Sequence, residues 1–174
     1  MATGYIPLPF GAWTTPDGST NNVGPGIVRL KGSQTNAVHI LAYAFDGAGS
    51  AVEQIYVNFI LPGDYASGGS LKIQGMINST TGNVAFMQAA VSAVTPGDAD
   101  TPLEHALSTA ATVSITANTT EARRLLEGTI TLNMDSAAAG DEIIIRLLRD
   151  PANGSDTHTS DFEFCQAEFS YTTT

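Results

Sequence analysis

Leu126-Glu127-Gly128-Thr129-Ile130-Thr131-Leu132-Asn133-Met134 decides the fold class. Leu126, Gly128, Ile130, Leu132 and Met134 fall on one parity, and Glu127, Thr129, Thr131 and Asn133 on the other. Strict alternation is the two-residue period of a strand with one face in a core and the other in water. Ala137-Ala138-Ala139-Gly140-Asp141 turns the chain. Ile143 to Leu148 follows and is apolar on both parities, which predicts a central strand. Asp150-Pro151-Ala152-Asn153-Gly154 breaks it. The last strand, Phe162 to Tyr171, carries apolar residues on even positions at Phe162 and Phe164. They move to odd positions at Cys165, Ala167, Phe169 and Tyr171, against Gln166, Glu168 and Ser170. A phase slip of one residue inside a strand predicts a β-bulge between Phe164 and Cys165.

Upstream, the same reading gives further strands. Val38 to Phe45 is a nearly continuous apolar run stopped by Asp46-Gly47-Ala48-Gly49, which suggests a buried strand. Ile55, Val57, Phe59 and Leu61 share one face, and Gln54, Tyr56 and Asn58 the other, before Pro62-Gly63-Asp64. Leu71-Lys72-Ile73-Gln74 and Val84-Ala85-Phe86-Met87 are expected to form a hairpin across the turn Asn78 to Asn83. Ala111 to Thr116 is a short strand. Asn118 to Leu126 reads either as the one helical candidate, with a polar cap before Glu121, Arg123 and Arg124, or as a loop entering the next strand. The first 30 residues carry Pro7, Pro9, Pro16 and Pro25 and read as an N-terminal arm and loop, with one short strand near Tyr5 to Leu8. The sandwich proper is placed at residues 31–174, with Ile27 to Leu30 at its start. Eight or nine short strands separated by turn signals predict an all-β, antiparallel sandwich of single jelly-roll type with an irregular N-terminal arm.

The 174 residues suit one domain and bury enough surface to need no disulfide or metal. Charged residues make up 14% of the chain, against about 25% in ordinary domains. Seven basic and 17 acidic side chains give a net charge of −10, which disfavours nucleic acid and anionic membrane surfaces as partners. The single cysteine, Cys165, forms no intrachain disulfide and is expected to be a buried structural thiol. The start of the chain has no signal-peptide pattern and no stretch is long and apolar enough to span a bilayer. Asn78-Ser79-Thr80, Asn118-Thr119-Thr120 and Asn153-Gly154-Ser155 match the glycosylation pattern by chance.

No constellation for catalysis stands out, and no catalytic, cofactor-binding or metal-binding residue is assigned. There is no G-x-S-x-G elbow, and Cys165 has no local activating group. His39, His105 and His158 lack metal-ligand spacing. His39, in an apolar strand, is expected in a core or interface; His105 and His158, in loops, are expected in solvent. Gly47-Ala48-Gly49 and Ser67-Gly68-Gly69 lack the context of a phosphate loop and read as turns. Asp98, Asp100 and Glu104 cluster in one loop, and Asp150, Asn153 and Asp156 in another. Calcium takes such oxygen ligands, but neither loop matches a calcium motif, and no calcium effect on melting is expected. A carboxylate pair for glycoside hydrolysis is a property of the fold and stays open at this point.

Three segments carry a resemblance: Gln54-Ile55-Tyr56-Val57-Asn58-Phe59-Ile60-Leu61-Pro62-Gly63-Asp64-Tyr65, then Ala138 to Asp150 with its A-G-D-x-I-x-x-R-L-x-R-D pattern, then the ending Phe169-Ser170-Tyr171-Thr172. Together, over roughly Glu53 to Thr174, they resemble small virion proteins of tailed phages, which are similar to single jelly rolls on particle surfaces. The motifs are turns and strand ends, so the resemblance implies a fold and a setting but no catalytic residue. It implies a capsid decoration, or cement, protein of the virion, clamping the major capsid protein as a homo-oligomer, with a trimer favoured because such proteins commonly sit on local threefolds. The alternative is a tail-fibre or tailspike module that binds a host glycan. Tyr5, Ile6, Leu8, Phe10 and Trp13 are the expected interface residues, since Pro7 and Pro9 keep that apolar arm out of the centre of a sheet. Trp13 is the only tryptophan, and Tyr5, Tyr65 and Phe10 are the other aromatics expected outside the strands. That supply is thin for a sugar platform, so the capsid reading ranks first and no specific glycan binding is expected.

Overall fold

A computed structural model describes residues 1–19, 22–99 and 104–174. Ten strands follow one another: β1 (Thr3–Pro9), β2 (Gly26–Lys31), β3 (His39–Phe45), β4 (Glu53–Ile60), β5 (Tyr65–Ile77), β6 (Val84–Val94), β7 (Ala111–Thr116), β8 (Leu126–Thr131), β9 (Glu142–Arg149) and β10 (Phe162–Thr173). The one helical element among the described residues is a single 3₁₀ turn at Phe10–Ala12. One sheet has the order β2-β3-β10-β5-β8, with β1 also paired to β10; the other has the order β4-β9-β6-β7. Every strand pairing is antiparallel. The product is an all-β sandwich of jelly-roll type.

Alternation places the core. On β9, Ile143, Ile145 and Leu147 turn inward, and on β8 Ile130 does, all fully buried. They meet Phe45, Ile55, Leu71, Ile73, Met87, Phe162, Phe164 and Phe169. β9 lies between β4 and β6, the central position its two-sided apolar pattern predicts. The predicted bulge is present: pairing of β10 with β5 skips from Phe164–Gly75 to Gln166–Gln74, leaving Cys165 over. Cys165 is half-buried rather than buried, because the bulge residue faces neither layer cleanly. Its Sγ contacts the Glu163 carbonyl at 3.5 Å. Burial, with Glu163 beside it, pushes the thiol pKa up to about 11.

Several local expectations give way to tertiary pairing. β5 and β6 do not form a hairpin: β5 pairs with β10 and β8 in one sheet, β6 with β7 and β9 in the other. The connection from Asn78 to Asn83 crosses from layer to layer, a gap of about 10 Å that six residues span easily. Of the two readings left open for Asn118 to Leu126, the loop entering the next strand is the one present. The Asn118 side chain does act as a cap, accepting from the amides of Thr120 and Glu121 at 3.0 and 2.8 Å, but it closes a turn. β3 is buried only in its second half. β10 pairs with β3 from Tyr43 to Phe45 alone, so among the described residues the preceding ones pair with no strand but β2. Val38, Ile40 and Leu41 are therefore exposed, and so is His39, which removes the core half of the core-or-interface expectation.

The chain's start is built into the sandwich. β1 runs antiparallel to β10 from Thr3–Thr172 to Pro9–Gln166. It lies along the same side of β10 that β3 uses further on, so it is an edge strand. That position is where Pro7 and Pro9, which donate no hydrogen bond, are tolerated. Leu8 and Trp13 are each 3% exposed and lie in this chain's own core. The Trp13 indole donates to the Leu8 carbonyl at 3.2 Å and its ring meets Phe164 edge-on at 5.2 Å. Phe10 stacks on Tyr43 at 4.6 Å, and the Tyr43 hydroxyl donates to the Trp13 carbonyl at 2.9 Å.

The three motif segments meet at one end of the fold. Leu61 and Asp141 join through the backbone at 2.9 Å, and Gly140, at φ +91°, donates to the Leu61 carbonyl at 3.0 Å. The Tyr171 hydroxyl donates to Asp64 at 3.0 Å, and the rings of Tyr65 and Tyr171 lie 5.8 Å apart. These residues hold turns together.

Candidate functional site

The outer face of the six-stranded sheet presents an ordered polar surface. Strand register lines up three rows across β1, β10, β5 and β8: Pro9–Gln166–Gln74–Glu127, Pro7–Glu168–Lys72–Thr129 and Tyr5–Ser170–Ser70–Thr131. Each row belongs to the wet parity of its strand, while Ile6, Leu8, Ala167, Phe169, Leu71, Ile73, Gly128 and Ile130 face inward. Standard strand spacings make this grid about 14 Å across the strands and about 13 Å along them.

The groups on it are already organised. Gln166 Nε2 donates to Gln74 Oε1 at 2.9 Å, and Gln74 Nε2 reaches Glu127 at 3.5 Å. Lys72 Nζ lies 3.1 Å from Glu168 Oε1. The hydrogen bond and charge of Glu168, with Glu127 and Tyr5 adding less, hold the Lys72 ammonium above the usual lysine pKa. Tyr5 is 61% exposed at the edge of the grid. Two depressions lie on the face, about 230 Å³ beside Pro7, Lys72, Gln74, Gln166 and Glu168, and about 280 Å³ beside Thr3, Gly68, Ser70, Thr131 and Ser170. One exposed aromatic face beside amide, carboxylate, hydroxyl and ammonium groups is an arrangement that binds polar ligands carrying both apolar and hydrogen-bonding faces.

Of the residues singled out from sequence, Tyr5 stands on this grid. Ile6 and Phe10 pack against the core, and Leu8 and Trp13 lie within it, so those four side chains serve this chain's own interior. The rest of the grid was not singled out, although the alternation of each strand already marks its members as outward-facing.

The histidines and acidic loops take other roles. His158 is 2% exposed, not solvated. Its Nδ1 accepts from the Ser160 amide at 3.0 Å, and Nε2 meets the Thr81 hydroxyl at 3.2 Å. Burial lowers its pKa, and the neighbouring Arg149 charge adds to that. His105 is half-buried, with Nε2 2.9 Å from Asp135 Oδ2. In the loop of Asp150, Asn153 and Asp156, the Asp156 carboxylate is taken by Arg149 at 2.7 and 2.8 Å. Asp150 and Asn153 accept backbone amides within their own turns. A guanidinium thus occupies the Asp156 carboxylate that a bound cation would need. Asp98 is exposed, and Asp100 lies outside the described residues.

No protein-family model matches the chain. No curated protein matches it by sequence. Among solved structures, the chain is similar in fold to an isomalto-dextranase from Arthrobacter globiformis T6 solved with panose, at 16% identity and a TM-score of 0.50. That match covers 96% of this chain but 23% of the isomalto-dextranase chain. It is also similar to the CBM35 module from Cellvibrio japonicus Abf62, at 10% identity, TM-score 0.48, covering 98% of this chain and 95% of that one. A third similar structure is the xylan-binding module CBM15, at 10% identity, TM-score 0.46, covering 99% of each chain. At such identities the likeness is one of fold.

Proposed function

We propose that this chain is a non-catalytic β-sandwich module that binds a glycan on the outer face of its six-stranded sheet. The observation that carries the reading is the grid itself: three aligned rows of polar side chains, with Tyr5 exposed at their edge. A sugar ring offers an apolar C–H face to an aromatic ring and paired hydroxyls to amide and carboxylate groups. Tyr5 supplies the first, and Gln166, Gln74, Glu127 and Glu168 the second. This reading reverses the ranking drawn from sequence, which counted aromatic residues without seeing the grid beside Tyr5. A module of a phage tail fibre contacting a host glycan is the setting the sequence resemblance suggests for it.

The test is a glycan array with panose and xylan fragments included, run on the intact chain and on Tyr5→Ala and Gln166→Ala. Reproducible binding to one glycan class that weakens about tenfold or more in both variants supports the platform. No hit on the array, or undiminished binding by both variants, refutes it.

A second reading, capsid decoration by a trimer seated on a major capsid protein, is favoured by one observation. Val38, just before β3, and Ile40 are 72 and 41% exposed and line one face of the β2–β3 ribbon with Leu30 and Met76, an apolar surface open to a partner. Val38→Asp in that ribbon would then abolish capsid occupancy; unchanged occupancy would end the reading.

A further inference from the structure

The β2–β3 ribbon ends the six-stranded sheet in an open strand edge. β2 pairs with β3 from Gly26–Ala44 to Lys31–His39 and with no other strand among the described residues. Just beyond it, the Gly32 amide donates to the Val38 carbonyl at 3.2 Å. Hydrogen-bonded pairs alternate along an antiparallel ladder. Val28 and Leu30 therefore bond to β3, while the N–H and C=O groups of Ile27, Arg29 and Lys31 point away from it. The other edges differ. On β1, the Thr173 amide donates to the Ala2 carbonyl, so the same alternation turns Thr3, Tyr5, Pro7 and Pro9 outward, and the two prolines have no N–H to offer. β4 is bridged by Thr14 at Tyr56 and by Val23 at Glu53. β7 and β8 carry no cation.

Two unlike faces flank this edge. On the outer face of the sheet, a hollow of about 250 Å³ lies among Leu30, Val38, Ile40 and Met76, with Lys31 and Arg123 also lining it. Arg29 and Lys31 belong to the opposite parity of β2 and are exposed. In this chain of net charge −10, Lys72, Arg123 and Arg149 are paired with carboxylates. Arg29, Lys31, Arg124 and Arg146 make no ion pair among the described residues, and of these only Arg29 and Lys31 stand on an edge strand. Cations on an edge keep like-charged and neutral strands away. Toward an acidic strand the same cations are attractive. The row of open backbone groups selects a polypeptide over a free anion, since only an extended chain matches its repeat of donors and acceptors. In a strand added to β2, residues opposite Arg29 and Lys31 share their face, and residues opposite Val28 and Leu30 share the apolar one. Acidic and apolar residues in strict alternation satisfy both.

We propose that β2 is a docking edge for an extended acidic segment of a partner protein. The segment adds as a further strand, with its acidic side chains on Arg29 and Lys31 and its apolar ones beside Val28 and Leu30. The proposal rests on the surface of the capsid reading, names how that surface is used, and is independent of the glycan platform. The probe is a capped octapeptide alternating Glu and Val, titrated into the intact chain at low salt by fluorescence anisotropy, with amide exchange followed by NMR. It is expected to bind about tenfold or more tightly than an alternating Lys-Val octapeptide or a block peptide of its own composition, and to weaken in added salt. The amides of Ile27, Arg29 and Lys31 should slow in exchange on binding, while those of Val28 and Leu30, already bonded to β3, change little. Arg29→Pro removes one outward N–H at an edge position that tolerates proline and should weaken binding about tenfold or more. The double variant Arg29→Gln with Lys31→Gln should weaken it as well, and serves if the proline variant does not fold. No binding of the Glu-Val peptide, equal binding of either control peptide, unchanged exchange at the three amides, or full binding by both variants overturns the proposal. So does a dimer of the free chain in sedimentation with those amides already protected, since a second copy then occupies the edge. Capsid occupancy separates the two readings. Occupancy kept by Arg29→Pro but lost by Val38→Asp leaves the capsid reading standing and overturns strand addition; peptide binding without capsid occupancy supports strand addition and ends the capsid reading.

Discussion

Replacing Asp156 by alanine leaves a fully buried guanidinium without its counter-charge. Arg149 is 0% exposed and makes contacts in every direction. Nε and Nη2 donate to Asp156 at 2.7 and 2.8 Å, Nη1 donates to the Phe45 and Ser160 carbonyls at 3.1 and 2.9 Å, and Nη2 also reaches the His158 carbonyl. Asp156 in turn accepts the Phe86 amide at 3.0 Å. One ion pair thereby ties the ends of β3 and β9, the loop before β10 and the start of β6. Breaking such a pair from one side costs about 3–5 kcal/mol, because the remaining charge is buried and uncompensated. In a domain of this size each kcal/mol lowers the melting midpoint by about 2–4 °C, so a fall of roughly 6–20 °C is expected. Urea unfolding of Asp156→Ala, Arg149→Met and the double variant measures it. The slope with urea should stay constant if the folded and unfolded states keep their compactness. The double variant should lose much less than the sum of the singles, because it removes the stranded charge along with its partner. An Asp156→Ala cost below about 1 kcal/mol, or strict additivity, would refute the reasoning and return the pair to the modest value of a surface ion pair.

Other outcomes follow from named residues. The folded-state pKa of His158 lies below its unfolded value near 6.5. The stability its neutral form supports is therefore present above that pH and lost as pH falls through the depressed folded value. His158→Gln should flatten the fall in stability below pH 6.5, as followed by urea unfolding at several pH values; identical profiles would remove His158 as the cause. Cys165, with a thiol pKa of about 11, should be roughly 0.1% thiolate at pH 8 and should alkylate far more slowly in the folded chain than in urea. Mass spectrometry showing equal rates would contradict the bulge environment. Gly75→Ala would bring a Cβ within 2.6 Å of the Phe162 ring and 2.7 Å of the Glu163 carbonyl. Overpacking of this kind typically costs about 1–3 kcal/mol, and a neutral thermal melt would show that β5 and β10 part without strain.

Strand existence and facing are local properties, and the sequence carries them. The alternation from Leu126 onward, the two-sided apolar run of β9 and the phase slip at Cys165 each report which side of a strand meets the core. The slip appears in the fold as a bulge at the residue where the parity changes. Parity also separates Arg146 from Arg149: three positions apart on one strand, they face opposite sides of the sheet, one outward and one toward the core.

Which strand lies beside which depends on contacts between distant residues, and only the tertiary structure decided it. Val84 to Val94 sits in the opposite sheet from Tyr65 to Ile77 because the hydrophobic faces of both strands are satisfied only across the layer gap. His39 reads as a core or interface residue in its own strand and is exposed because β10 ends its pairing at Tyr43. His158 reads as a solvated loop residue and is buried because Arg149 draws that loop inward. The apolar residues of the N-terminal segment were legible as needing burial, but the side chains that receive them, Tyr43 and Phe164, lie about 30 and 150 positions away along the chain. The candidate grid has the same history. Each strand marks its own outward residues, and only register turns Tyr5, Gln166, Lys72 and Glu127 into one surface. A two-residue period fixes the face of a strand but not its neighbour, since neighbours are chosen by the packing of the whole core.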